Sequence, residues 1–153
     1  MLLNILFIST DDRFILDMIG FNIENSLEDC SIGIFQAQEE LDILQSLNHD
    51  DIHLIVADMN IDEIIVDEFY DRLQRDIKYR DFPFIFTSSI GEDIEIASLK
   101  GLDNFFLKPI DVDKLLARLY EILENIKKDI QKDEYSLDYF SEDDDYIDVD
   151  DIF

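Results

Sequence analysis

Six residues of this chain have the types and placement to do chemistry as a group. Asp58 closes the apolar run Ile52-His53-Leu54-Ile55-Val56-Ala57, and Asp11 and Asp12 come just after the apolar run Asn4-Ile5-Leu6-Phe7-Ile8. Thr87 and Ser88 end a third run that begins at Pro83, and Lys108 stands between Leu107 and Pro109. Together they offer carboxylates for a hard divalent cation, a hydroxyl that can hydrogen-bond an anion, and an ammonium that can neutralise one. Such a set suits phosphoryl transfer to a carboxylate. Mg2+ would bridge the acids and the incoming group while Lys and hydroxyl hold its equatorial oxygens, so that catalysis is mostly positioning and charge stabilisation.

The elements that must position these residues follow from hydrophobic periodicity. Ile52 to Asp58 reads as a strand buried on both faces, which belongs in the middle of a parallel sheet with its last residue at the carboxyl edge. Asn4–Ile8, Ser31–Phe35, Pro83–Thr87 and Asn104–Leu107 read as four more strands. Between them, helical spacing predicts a helix from about Arg13 to Asn25 with Phe14, Met18 and Phe21 on its apolar face, and a short helix marked by Leu41, Leu44 and Leu47. A further helix from Asp67 to about Tyr79 would bury Phe69, Leu73 and Ile77, and Ile94, Ala97 and Ser98 would line a short one ending at Gly101. The last starts near an Asp111 cap and carries Leu115, Leu116, Leu119, Ile122, Leu123 and Ile126. Strands alternating with helices over short connections require right-handed crossovers. The expected fold is therefore α/β, a (βα)5 doubly wound five-stranded parallel sheet, in which the strand ends gather the six residues named above.

Composition narrows the function classes. The chain has 153 residues, enough for one domain with a sizeable core, and its 47% hydrophobic content favours folding. A formal net charge of −26 argues against binding nucleic acid or anionic membrane through phosphate neutralisation. No apolar run is long enough to span a membrane, the start lacks the basic flank of a signal peptide, and the single Cys30 has no disulfide partner. A cytoplasmic location is the expectation. His49 and His53 lack the neighbours a zinc site would want, and Cys30 is most simply a small apolar residue.

With these residues in view, the sequence resembles the receiver domains of bacterial response regulators over about Asn4 to Lys128. The resemblance is carried by Leu54-Ile55-Val56-Ala57-Asp58-Met59-Asn60 around the family's phosphoacceptor and by Gly101-Leu102-Asp103-Asn104-Phe105-Phe106-Leu107-Lys108-Pro109, similar to the family's Gly-Ala-x-x-aromatic-x-x-Lys-Pro segment. It implies the flavodoxin-like receiver fold, Asp58 as phosphoacceptor, Lys108 as phosphate partner, the Asn60 backbone carbonyl as a metal ligand and Phe105 as the aromatic switch residue. In that family the Lys-Pro bond is typically cis. Two positions stay open. Aligned without gaps, the first strand puts Ser9 and Thr10 where the family's acidic pair belongs, whereas Asp11 and Asp12 serve as the pair only with two extra residues at the strand end. Either Thr87 or Ser88 can be the site hydroxyl. A plain structural use exists too, since Asp11 or Asp12 can cap the first helix.

The implied function is phosphorelay signalling by a non-enzymatic, single-domain regulator assisted by Mg2+. It would receive a phosphoryl group from a histidine kinase or phosphotransfer protein and act on a downstream protein through the face of the fourth and fifth repeats. The alternative is a degenerate, phosphorylation-independent binding module of the same fold. A hydrolase is less favoured, because Asp58-Met59-Asn60 lacks a second acid two residues on. Residues 1–130 form the expected receiver-like domain, and 131–153 an acidic, aromatic-containing tail expected to be disordered and able to order on a basic, apolar partner. From Asp133 on, that tail holds ten acidic residues and no Lys or Arg.

Overall fold

A computed structural model describes residues 1–59, 66–93, 95 and 104–143. Its elements are β1 (Leu2–Ile8), α1 (Arg13–Ser26), β2 (Ser31–Ala37), α2 (Glu40–His49), β3 (Ile52–Asp58), α3 (Val66–Gln74), β4 (Phe84–Ser88), β5 (Phe105–Leu107) and α4 (Val112–Asp143). The strands form one parallel sheet in the order β2-β1-β3-β4-β5. The helix expected around Ile94, Ala97 and Ser98 and the Asn60 carbonyl lie outside the described residues. No helix among the described residues is long and apolar enough to cross a membrane.

Strand periodicity of two splits the core into two layers. Leu6 and Ile8 of β1, Ile55 and Ala57 of β3, and Phe84 and Phe86 of β4 pack with Ile43, Leu47, Phe69 and Leu73 of α2 and α3. Their neighbours Ile5 and Phe7, Leu54 and Val56, and Ile85 pack on the opposite face with Leu16, Ile23, Leu115, Leu119 and Leu123 of α1 and α4. Both faces of β3 are covered, which is why its sequence is a continuous apolar run. Cys30 packs in the second layer, as its apolar reading expects. His53 occupies a register shift between β1 and β3, where its Nδ1 accepts the Asn4 N–H at 2.9 Å. The Asn4 amide lies over Gly33 of β2, where a Cβ would collide with it.

Three sequence expectations about helix faces are corrected. Phe14, Met18 and Phe21 are 69%, 50% and 67% exposed, while Leu16, Gly20 and Ile23 face the sheet. Both sets have the same spacing on opposite sides of α1, and Gly20 permits close contact with Ile34 where a side chain would not fit. In α2, Ile43 and Leu47 are buried, whereas Leu41 and Leu44 are exposed. α3 ends at Gln74 instead of near Tyr79, and Ile77 is exposed. There Asp76 Oδ1 accepts the Lys78 N–H at 2.9 Å, and this side-chain turn competes with the next helical hydrogen bond.

Caps fix the helix starts at the carboxyl edge of the sheet. Asp12 Oδ1 accepts the Phe14 N–H at 2.9 Å at the head of α1. Asp111 Oδ1 accepts the N–H groups of Asp113 and Lys114 at 3.1 and 3.3 Å, as expected of the α4 cap. α4 then continues across the expected boundary at residue 130 to Asp143. The chain has no Pro or Gly after Pro109 to stop it. Residues 144–153 of the expected tail lie outside the described residues.

Candidate phosphoacceptor site

The sheet brings four of the candidate residues to one cavity of about 480 Å3, whose lining includes Ser9, Asp11, Asp58, Thr87 and Lys108. Asp58 is the last residue of β3 and is 6% exposed. Its Oδ2 accepts from Lys108 Nζ at 2.6 Å. A carboxylate so buried needs a partner of opposite charge, and Lys108 is placed to be one by the sheet. Its backbone N–H donates to the Ser88 carbonyl at 2.7 Å, which extends the β4–β5 pairing by one residue. The Lys108–Pro109 bond is cis.

Thr87 and Ser88, equally eligible in the sequence, have different surroundings. Asp58 pairs with Thr87 across β3 and β4, so their side chains share a face, and buried Thr87 lines the cavity. Ser88, one residue on, sits on the opposite face of the strand. Its hydroxyl accepts the Ile90 N–H at 2.9 Å and is hydrogen-bonded to the Asp93 carboxylate. Phe105 opens β5 opposite Phe86 and is half-buried against the α2 and α3 layer.

The two acids after β1 also diverge. Ile8 pairs with Ala57, so buried Ser9 stands level with Asp58, the place reached by the ungapped alignment. Asp11 lies two residues further and lines the cavity, whereas Asp12 is held at the α1 cap. Magnesium keeps most of its water shell and usually takes only one or two carboxylates from a protein. Asp11 and Asp58 meet that requirement from one cavity. Among the described residues no three His, Cys, Asp or Glu converge as a closed cage.

Ser9 stands where the ungapped alignment put it, visible in the sequence as a departure from an acidic pattern. One participant escaped sequence reasoning. Gln36, near the end of β2, donates from Nε2 to the carbonyls of Ser9 and Asp11 at 2.9 and 2.8 Å. No periodicity or motif marks it.

Most of the remaining cavity wall is apolar, from Ile15, Leu16, Met18 and Ile19 of α1 and Val112, Leu115 and Leu116 of α4. It opens beside the exposed side of α1.

No protein-family model and no curated protein matches the sequence. Solved structures do. The chemotaxis response regulator CheY4 of Vibrio cholerae matches with a TM-score of 0.62 at 16% identity, over 80% of this chain and 99% of that one. The signal receiver domain of a DNA-binding response regulator, merR, from Colwellia psychrerythraea 34H matches with a TM-score of 0.64 at 18% identity, over 80% and 98%. A two-component transcriptional regulator AraC from Clostridium phytofermentans ISDg gives 0.62 at 22% identity, over 82% and 96%. At these identities the likeness is one of architecture, and the architecture is that of response regulator receiver domains.

Proposed function

We propose that this chain is a phosphorelay signalling domain in which Asp58 accepts a phosphoryl group from the phosphohistidine of a kinase or phosphotransfer protein. The observation that carries the reading is the buried Asp58 with Lys108 at 2.6 Å and Thr87 on the same cavity wall. An Asp58 carboxylate oxygen forms the new O–P bond as the P–N bond to the donor imidazole breaks, and the imidazole leaves with its electron pair. The Lys108 ammonium, already against Asp58, neutralises the arriving phosphoryl oxygens, and the Thr87 hydroxyl donates to one of them. Asp11 and Asp58 would hold a Mg2+ ion, whose charge would further neutralise the phosphoryl oxygens. Outside this pocket the chain's work is protein recognition. Thr87 and Phe105 connect the site to the β4–β5 face, and their inward turning would alter that face for a downstream protein.

The donor needs a docking surface next to the cavity. Phe14, Ile15, Met18 and Phe21 on α1, with Val112 on α4, form an exposed apolar group beside it. Large exposed apolar groups of this kind mark interaction sites, and this one would seat a helix of the phosphodonor.

A second reading, a binding module that never takes phosphate, is favoured by Ser9 standing level with Asp58 and by the commitment of Asp12 to the α1 cap. Incubation with acetyl phosphate and Mg2+, followed by intact-mass and peptide analysis, separates the two. The phosphorelay reading expects one added phosphoryl group on Asp58. An unmodified protein at millimolar Mg2+ would leave the binding module.

A further inference from the structure

Resting on the phosphoacceptor reading above, we infer that Gln36 is the positioning residue for the metal carboxylate, holding Asp11 in the cavity where the strand itself supplies only Ser9. β1 ends at Ile8, and the next residue is fixed at the sheet edge, with Ser9 N–H donating to the Ala37 carbonyl at 3.1 Å and its side chain buried. A metal carboxylate is therefore missing from the place nearest Asp58. The chain compensates by folding the segment from Ser9 to Asp11 into a tight turn. Asp11 N–H donates to Ser9 Oγ at 2.9 Å. Gln36 Nε2 closes the turn from outside, donating to the Ser9 carbonyl at 2.9 Å and to the Asp11 carbonyl at 2.8 Å.

A primary amide has two N–H donors, so one side chain satisfies two carbonyls that are two residues apart. No single-donor side chain could do both. The clamp comes from β2, a neighbouring strand, and acts on the Asp11 backbone, so it is independent of the α1 cap made by Asp12. Adjacent acids thus have separate work: Asp12 starts a helix and Asp11 faces the cavity. Residues that orient a metal ligand without touching the metal are worth about 10–100-fold in metal affinity when removed.

The test is Mg2+ titration followed by amide NMR on the full chain, for the wild type, Gln36→Met, Asp11→Asn and the double variant. Met keeps the length of Gln and removes both donors. The expected result is a Mg2+ affinity lowered about 10-fold by Gln36→Met, with no further loss when it is added to Asp11→Asn. Hydrogen exchange at the Asp11 amide should quicken while the Phe14 amide, held by Asp12, is unchanged. Wild-type affinity in Gln36→Met, or equal losses with and without Asp11, would overturn the inference. A wild type that binds no Mg2+ would overturn the phosphoacceptor reading itself, and that outcome is visible in the unmutated protein alone.

Discussion

Asp11 and Asp12 differ by one position and should differ in kind when replaced. Asp12→Ala removes the acceptor for the Phe14 N–H and is expected to cost about 1 kcal/mol of stability, with Mg2+ binding retained. Asp11→Asn should leave thermal stability nearly unchanged and weaken Mg2+ binding about 10–100-fold, with the residual affinity coming from Asp58; urea unfolding and Mg2+ titration of both variants check the pair. Equal effects of the two substitutions on Mg2+ would contradict the assignment. At this scale the sequence was informative where a residue ends a strand. Asp58 and Lys108 are placed by the ladder, and their contact follows from two strands leaving the sheet at one edge. It was uninformative where a turn decides. Asp11 and Asp12 are chemically identical, and which one enters the cavity depends on a side chain of β2 that is distant in sequence. Thr87 and Ser88 were equivalent for a related reason: counting from either end of β4 leaves a one-residue uncertainty, which in a strand exchanges the two faces.

Among the elements, α1 shows how a helix can present two equally good stripes. Leu16, Gly20 and Ile23 repeat at the spacing of Phe14, Met18 and Phe21, two residues out of phase, so periodicity alone could not choose between them. The larger side chains drew the sequence reading to the wrong side. The smaller stripe wins because Gly20 lets the helix lie close to Ile34, and the aromatic stripe is left for solvent or a partner. Leu16→Ala should therefore cost about 2–5 kcal/mol in urea unfolding, whereas Phe21→Ala should change stability by no more than about 0.5 kcal/mol. The exposed stripe has its own prediction. Phe21→Glu should slow phosphoryl transfer from a protein donor at least tenfold and leave loading from acetyl phosphate unchanged, since Phe21 is exposed and stands outside the cavity lining. Equal slowing with both donors would mean that Phe21 acts on the pocket and not on docking.

For the whole molecule, charge is the dominant long-range term. A net charge of −26 over 153 residues opposes the compact state by self-repulsion. The exposed pairs Arg13–Asp17 and Arg118–Glu121 contribute little each, so screening them loses less than screening the repulsion gains. The melting temperature should rise as NaCl is raised from about 0.01 M to 0.15 M, over which the screening length falls from about 30 to 8 Å. A falling melting temperature would show that specific ion pairs outweigh the excess charge. The architecture was legible at this scale because it rests on alternation: five apolar runs separated by helical patterns leave few topologies once crossovers must be right-handed. The end of α4 was not. Charge and aromatic content suggested a change of character near residue 130, but a helix is stopped by Pro, Gly or a competing cap, and the sequence supplies no Pro or Gly there.

Fluorine NMR of beryllofluoride, a mimic of the phosphoryl group on aspartate, run with and without Mg2+ and against Asp58→Asn, asks whether Asp58 is the phosphoacceptor. Bound resonances that require both Mg2+ and Asp58 are expected. Absence of bound resonances at millimolar Mg2+ in the unmutated protein, or their persistence in Asp58→Asn, would show that Asp58 takes no phosphoryl group.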